Sequence, residues 1–287
     1  WEIDGLMVFY NKQLLAEEGE TEPPEDWDSF FELAKDLTKR DASGKIIQAG
    51  VAMGTSRNIM HSAEILAYML ALEDIQVMDQ TRTQISLNTP RVQRVLETYT
   101  NFAKGDNALW SPTLRSDLEM FFTENLAMMI APSWRAFDII KAAPSVEFDT
   151  APLPQLLANE EDVYYATYWG DAVNRTSASP LAGWKFVDFL AQKEQQMKLY
   201  SNASQVRAFG EPYSLVELNS EIQGKTYVSS IAEMAPNMSA YPWGDETAIN
   251  TAINTAITNI IEDRSDVDIA LEDAEAVINA TIEETNR

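Results

Sequence analysis

Two stretches of this chain carry side chains suited to recognising a ligand. The first is Met120 to Trp134, MFFTENLAMMIAPSW. Phe121 and Phe122 close an apolar helical face, and Thr123, Glu124 and Asn125 break it, with Asn125 the expected left-handed residue after the helix. Leu126 to Ala131 is a short continuous apolar run, suited to a strand buried on both faces. Pro132 ends the ladder, and Ser133 is the expected cap of a helix running from Trp134 through Ile140. An indole and a hydroxyl thus fall where a strand hands over to a helix, and in open α/β sheets ligands gather at the carboxyl ends of strands. A core anchor is the plainer alternative role for Trp134. The second stretch is Tyr164 to Val173, YYATYWGDAV, the most aromatic run in the chain. It reads as a strand interrupted at Gly170, and an interior glycine marks a bulge or the close approach of a ligand.

Other chemistries find little support. The chain has no cysteine, which removes disulfides, thiolate metal sites and cysteine nucleophiles. Its one histidine, His61, lies in the helical stretch NIMHSAEIL. One histidine makes no His-based metal cluster, and a buried structural role suits it better than a catalytic triad. There is no GxGxxG, phosphate-loop, GxSxG or HExxH pattern. Asp171 and a distant glutamate could in principle act as a glycosidase pair, but no spacing selects such a pair. No catalytic residue, metal ligand or cofactor is expected. The formal net charge of −24 argues against a nucleic-acid partner.

The elements that must position these residues follow from periodicity. The 287 residues, 45% hydrophobic, suffice for one large or two ordinary domains with a sizeable core. No apolar run approaches the roughly 20 residues a membrane span needs. The chain opens without methionine in an apolar strand, WEIDGLMVFY, and reads as a mature or cut fragment. Asp26 caps a helix with Trp27, Phe30, Phe31, Ala34 and Leu37 inward. Ile46 to Met53 reads as a strand, and Ile59 to Leu72 as a helix with Ile59, Ala63, Leu66, Ala67 and Leu70 on one face. Thr89 and Pro90 open a further helix. Trp110 falls in the loop from Asp106 to Arg115. Phe148 to Leu153 is a strand, and Ser179 and Pro180 start a helix containing Trp184, Phe186 and Phe189. The rest is mainly helical, with a Pro- and aromatic-rich loop from Pro236 to Gly244.

The order of these features resembles family 1 extracellular solute-binding proteins, the maltose-binding-protein-like receptors of ABC importers. Tyr10-Asn11-Lys12 after an apolar strand is similar to the family's YNK. Pro24 to Phe30 followed by Leu33 to Thr38 is similar to its P-x-T-W-x-E-L…A-K-x-L-T helix. Phe122 to Met128 and Ser133-Trp134 are similar to F-x-x-G-x-A-M…G-S-W. Ala151-Pro152-Leu153-Pro154 matches its P-L-P strand end, and Trp169-Gly170 with Trp184 to Leu190 matches the return strand and the helix after it. The resemblance covers essentially the whole chain. Asp26, Ser29 and Asn125 depart from the usual Thr, Glu and Gly. The larger departure is at the front, where the segment that builds most of the family's first lobe is missing.

The resemblance implies an α/β, periplasmic-binding-protein-like (type II) two-lobe fold that closes on its ligand by a hinge. Residues 1–12 would be the hinge-crossing strand, 13–165 the first part of the second lobe, 166–192 a returning segment of the first lobe, and 193–287 the second lobe and C-terminal helices. It also implies an extracytoplasmic, monomeric carbohydrate-binding protein, with the membrane permease subunits of an importer as partners. Indole rings suit that task, because sugars present apolar C–H faces while their hydroxyls need polar groups at the rim. Trp134 and Trp169 sit at cleft-lining motif positions, and Asp171 follows Gly170 on the return strand, both offered as ligand contacts. Asp4 lies where the family's maltodextrin binder places a hydroxyl-accepting acid. Trp110, Arg207 and Trp243 lie in loops with a rim or structural role open to them. Two other readings remain: the same fold binding another solute such as a polyamine, which an acidic, aromatic cleft would suit, and a two-carboxylate glycoside hydrolase.

Overall fold

The longest uninterrupted apolar segment near the start of the chain becomes the strand on which the sheet is built. In the computed structural model, residues 2–157, 161–240 and 246–285 are described. Strand β1 (Asp4–Asn11) is buried along its whole length. It is followed by α1 (Lys12–Glu17), α2 (Trp27–Asp36), β2 (Lys39–Arg40), β3 (Ile46–Val51), α3 (Ser62–Leu72), α4 (Pro90–Asn101), α5 (Asp117–Phe122) and β4 (Leu126–Pro132). Then come α6 (Arg135–Ala142), β5 (Phe148–Ala151), β6 (Tyr164–Thr167), α7 (Pro180–Leu190), α8 (Lys193–Ala203) and α9 (Ser229–Met234). The short β7 (Met238–Ser239), α10 (Glu246–Ile261) and α11 (Val267–Thr285) complete the described elements.

The strand order is β2-β3-β4-β1-β6-β7, with β5 also pairing β1. On one edge β1 runs antiparallel to β4, from Leu6 opposite Pro132 to Tyr10 opposite Met128. On the other edge it changes partner along its length. Its second half pairs with β5, Val8 opposite Ala151, while its first residues pair with β6, Asp4 opposite Thr167. One strand therefore ties two parts of the sheet together. Gly5 is required at this junction, since a Cβ there would stand 2.1 Å from the Tyr165 carbonyl oxygen of β6.

Helix ends follow local chemistry. Asp26 accepts from the Ser29 amide at 2.9 Å, and Thr89 caps α4 with Pro90 in its first turn. Buried Asn11 closes β1 and caps α1, accepting from the Gln13 and Leu14 amides at 2.9 and 3.0 Å. Asn11→Ala is expected to lower stability by about 1–2 kcal/mol, read from the urea midpoint, because two amides lose their acceptor.

Several sequence expectations are corrected. The left-handed residue after α5 is Glu124, φ 55°, rather than Asn125, whose side-chain amide instead donates to the Thr123 carbonyl at 2.9 Å. Helix α3 starts at Ser62 rather than Ile59 and is buried nearly all round, not on one face. The cause is its position, packed against β6, α4 and α10 at once. Strand β6 ends at Thr167, so residues 168–173 form no ladder. Within the remainder expected to be mainly helical, Leu215 to Gln223 is not an α-helix: Val216–Glu221 is a 3-10 helix.

Candidate functional site

The floor of the site is made where β1 and β4 end side by side. Asp4 is 8% exposed, and its carboxylate accepts from the Gly5 amide at 2.8 Å, the Ser133 amide at 3.1 Å and the Ser133 hydroxyl at 2.9 Å. Ser133 is thereby drawn away from helix capping: α6 begins at Arg135 and has no side-chain cap. Burial is the main influence on Asp4 and raises its carboxyl from 3.8 to about 6, against the opposing pull of those three donors.

A cavity of about 690 Å³ opens above this floor. Its aromatic walls are Trp134, Phe137, Tyr165, Tyr168, Trp169 and Phe209. Its polar groups include Glu2, Asp4, His61, Glu64, Ser133, Thr167 and Glu211. Trp134 is 42% exposed and Trp169 72%, unusually high for indoles. Trp134 is held from behind. Its ring meets the edge of buried His61 at a centroid distance of 5.8 Å, and the Arg135 guanidinium lies 4.0 Å from its ring centre. Arg135 is fixed in turn by Asp138 at 2.8 Å and by donating to His61 Nε2 at 3.4 Å. His61 is thus a support for the indole, as its structural reading expected.

The cavity gathers Asp4, Trp134 and Trp169 from three separate elements. Other candidates lie elsewhere. Trp110 is 0% exposed and belongs to the core, its indole N–H donating to Asn58 Oδ1 at 3.1 Å. The rim role offered to it is therefore replaced by a structural one. Arg207 does not line the cavity; it pairs with Glu211 and lies 5.0 Å from the centre of the Phe137 ring, so it braces two residues that do. Gly170 and Asp171 are exposed and lie outside the lining, because β6 has ended before them. Trp243 lies outside the described residues. Sequence reasoning missed Glu2, Glu64, Phe137, Phe209 and Glu211. Phe209 and Glu211 come from an irregular loop with no periodicity to read, and they reach the site through the Ile3 amide, which donates to the Pro212 carbonyl at 3.2 Å.

A second depression, about 530 Å³, lies between α2, α3 and α4 and includes Trp27, Phe31, Arg91 and Arg94. It holds none of the candidate residues and lies away from the strand ends. Among the described residues no group of three or more His, Asp or Glu is arranged to hold a metal, and no helix is long and apolar enough to cross a membrane.

Residues 1–210 match the bacterial extracellular solute-binding protein family, and the chain belongs to it. This is a family of solute binders rather than enzymes, which sets aside the two-carboxylate hydrolase. A protein of Brucella abortus (strain 2308), described as a candidate binding protein, is 25% identical over 202 residues, 68% of this chain. The chain spans about half the length of the curated relatives it matches, 46% in that case. A cyclo/maltodextrin-binding protein solved with maltotetraose superposes with a TM-score of 0.76 at 20% identity, over 98% of this chain and 69% of the other. An ABC substrate-binding protein from Listeria monocytogenes in complex with cycloalternan gives 0.71 at 20% identity, over 98% and 70%. The sugar-binding protein MalE from Xanthomonas citri gives 0.72 at 16%, over 100% and 70%. The fold is accordingly the α/β periplasmic-binding-protein-like fold that the sequence motifs imply.

Proposed function

We propose that this chain forms the helix-rich lobe of an extracytoplasmic receptor that captures a carbohydrate, an oligosaccharide in particular, and delivers it to the permease subunits of an ABC importer. The observation that carries this reading is the pair of exposed indoles, Trp134 and Trp169, lining one cavity whose floor is a hydrogen-bonded carboxylate and hydroxyl. Stacked rings meet the C–H faces of a sugar, and oriented polar groups meet its hydroxyls. Structural neighbours solved with maltotetraose, cycloalternan and mannobiose support it.

On this reading β1 is the hinge-crossing strand, and residues 166–192 return to the first lobe. That assignment draws support from α7, which has no buried residue and exposes Leu181, Trp184, Phe186 and Phe189. Such an apolar helix needs a covering surface, and the first lobe would supply it. The acidic lining favours one second reading, a polyamine ligand in the same cleft.

Trp169→Ala tests the assignment. Applied to the full gene product, it is expected to weaken oligosaccharide binding by about 1–3 kcal/mol, the loss of one aromatic contact, as measured by calorimetry. Unchanged affinity would remove Trp169 from the site.

A further inference from the structure

We infer that His61 and Arg135 are positioning residues for solute binding: they hold the Trp134 indole with one face covered, so that the solute stacks on the opposite face alone. The inference rests on the cavity being the solute site, as proposed above. Trp134 and His61 line that cavity, whereas Arg135, 8% exposed, does not. Its guanidinium nonetheless lies over the indole, 4.0 Å from the ring centre. It therefore stands behind the ring, and the face turned away from it is the one open to the cavity.

Directed hydrogen bonds keep Arg135 there. Its Nε–H donates to His61 Nε2 at 3.4 Å, its Nη1 donates to Asp138 at 2.8 Å, and its Nη2 meets the Met60 sulfur. A guanidinium carries donors and no acceptor, so His61 Nε2 must be the unprotonated ring nitrogen. The imidazole proton then sits on Nδ1, which faces Glu64 Oε1 at 3.7 Å. That same oxygen accepts from the Asn250 side-chain amide at 3.4 Å. A line of polar contacts thus runs from α10 through the start of α3 to α6 and ends on the indole. His61 and Arg135 are both buried, so neither can turn to bulk water for a substitute partner.

An indole free to turn loses that freedom when a solute stacks on it, and the loss weakens binding. With His61 and Arg135 in place the ring is already ordered before the solute arrives. The surface this arrangement fits is a flat C–H face presented from the cavity side, since the other side of the ring is closed.

The test is titration calorimetry on the full gene product against a panel of neutral oligosaccharides that includes maltotetraose and mannobiose. The tightest of them is carried through a double-mutant cycle between His61 and Trp134. Glutamine can place an amide oxygen where Nε2 stands and still accept from Arg135, whereas asparagine is too short to reach it. His61→Asn is expected to weaken binding about tenfold, and His61→Gln to stay within about threefold of the parent. In a Trp134→Ala background, His61→Asn should cost less than about a further twofold, because the ring it positions has gone. Arg135→Lys keeps the charge but lacks the Nε–H and the flat guanidinium, and it carries the same expectation and the same cycle should His61→Asn fail to fold. Equal losses for the Asn and Gln variants, or a loss undiminished in the Trp134→Ala background, would make the brace a general structural feature and overturn the inference, leaving the carbohydrate reading standing. Unchanged affinity in Trp134→Ala alone would remove this indole from the site and overturn the inference with it. Binding of no saccharide in the panel by the parent would overturn both the carbohydrate reading and the inference that rests on it.

Discussion

Trp110→Ala is expected to lower the unfolding free energy by about 3–5 kcal/mol, while Trp169→Ala changes it by less than about 0.5 kcal/mol. The two residues are the same type and both fall in segments without regular structure, but their surroundings are opposite. Trp110 is fully buried and its indole N–H is bonded to Asn58. Asn58 is itself a hub, donating to the Ser111 and Leu114 carbonyls at 3.0 and 3.1 Å and accepting at its own carbonyl from the Asp117 amide at 2.9 Å. Truncating Trp110 empties a large volume and removes one donor to that hub, so the cavity cost and the hydrogen-bond cost add. Trp169 is 72% exposed, and removing it opens no void. Urea unfolding of both variants decides the matter. Similar losses for the two would mean that Trp169 is a structural residue and that the indole wall of the cleft has been misassigned.

The second large effect is the pH dependence set by Asp4. Its carboxyl is raised in the folded protein from 3.8 to about 6, chiefly by burial. A raised carboxyl means that the folded state holds the proton more tightly than the unfolded chain does. Its contribution to stability is therefore complete below about pH 4 and is lost as pH rises through about 6. A rise of this size is worth about 3 kcal/mol. Asp4→Asn cannot ionise, so the stability of the variant relative to the parent should climb by about that amount between pH 4 and pH 7. Glu2, raised chiefly by its own burial, is present in both proteins, so its effect cancels to first order in the difference. Stability curves that run parallel across this range would show that the floor of the cleft is open enough to solvate an ionised Asp4.

The features legible in the sequence were those whose cause is local. Asp26 and Thr89 cap helices because a short polar side chain preceding an apolar period leaves few alternatives. Leu126 to Ala131 had to be a buried strand, and its neighbour Trp134 reached the cavity because the strand end fixes where the next residues go. Trp169 follows β6 closely enough to share that cavity. Where the direction of a side chain depends on a distant partner, the pattern was silent. Trp110 turned inward because Asn58, far away in sequence, could satisfy its N–H. Ser133 gave up its capping role because Asp4 arrives beside it from the other end of the chain segment. Glu2 and Glu211 come to one cavity through the pairing of Glu2 with Tyr213 and of Ile3 with Pro212, contacts between residues with no shared local motif. The extension of a strand through Gly170 failed for a related reason: periodicity gives the chemistry of a strand, while its length depends on the partner strand, and β6 pairs with β1 only at Asp4 and Gly5.

The capture of a saccharide between indole faces is tested most directly by a thermal-shift screen of the full gene product. Neutral oligosaccharides, amino sugars and polyamines would each be added at high concentration. A ligand present at about 100 times its dissociation constant stabilises the folded state by about 2.7 kcal/mol, enough to move the midpoint by a few degrees. A shift with one class of saccharide, lost in Trp169→Ala, is the predicted result. A shift with polyamines alone, or with none of these compounds, would contradict it.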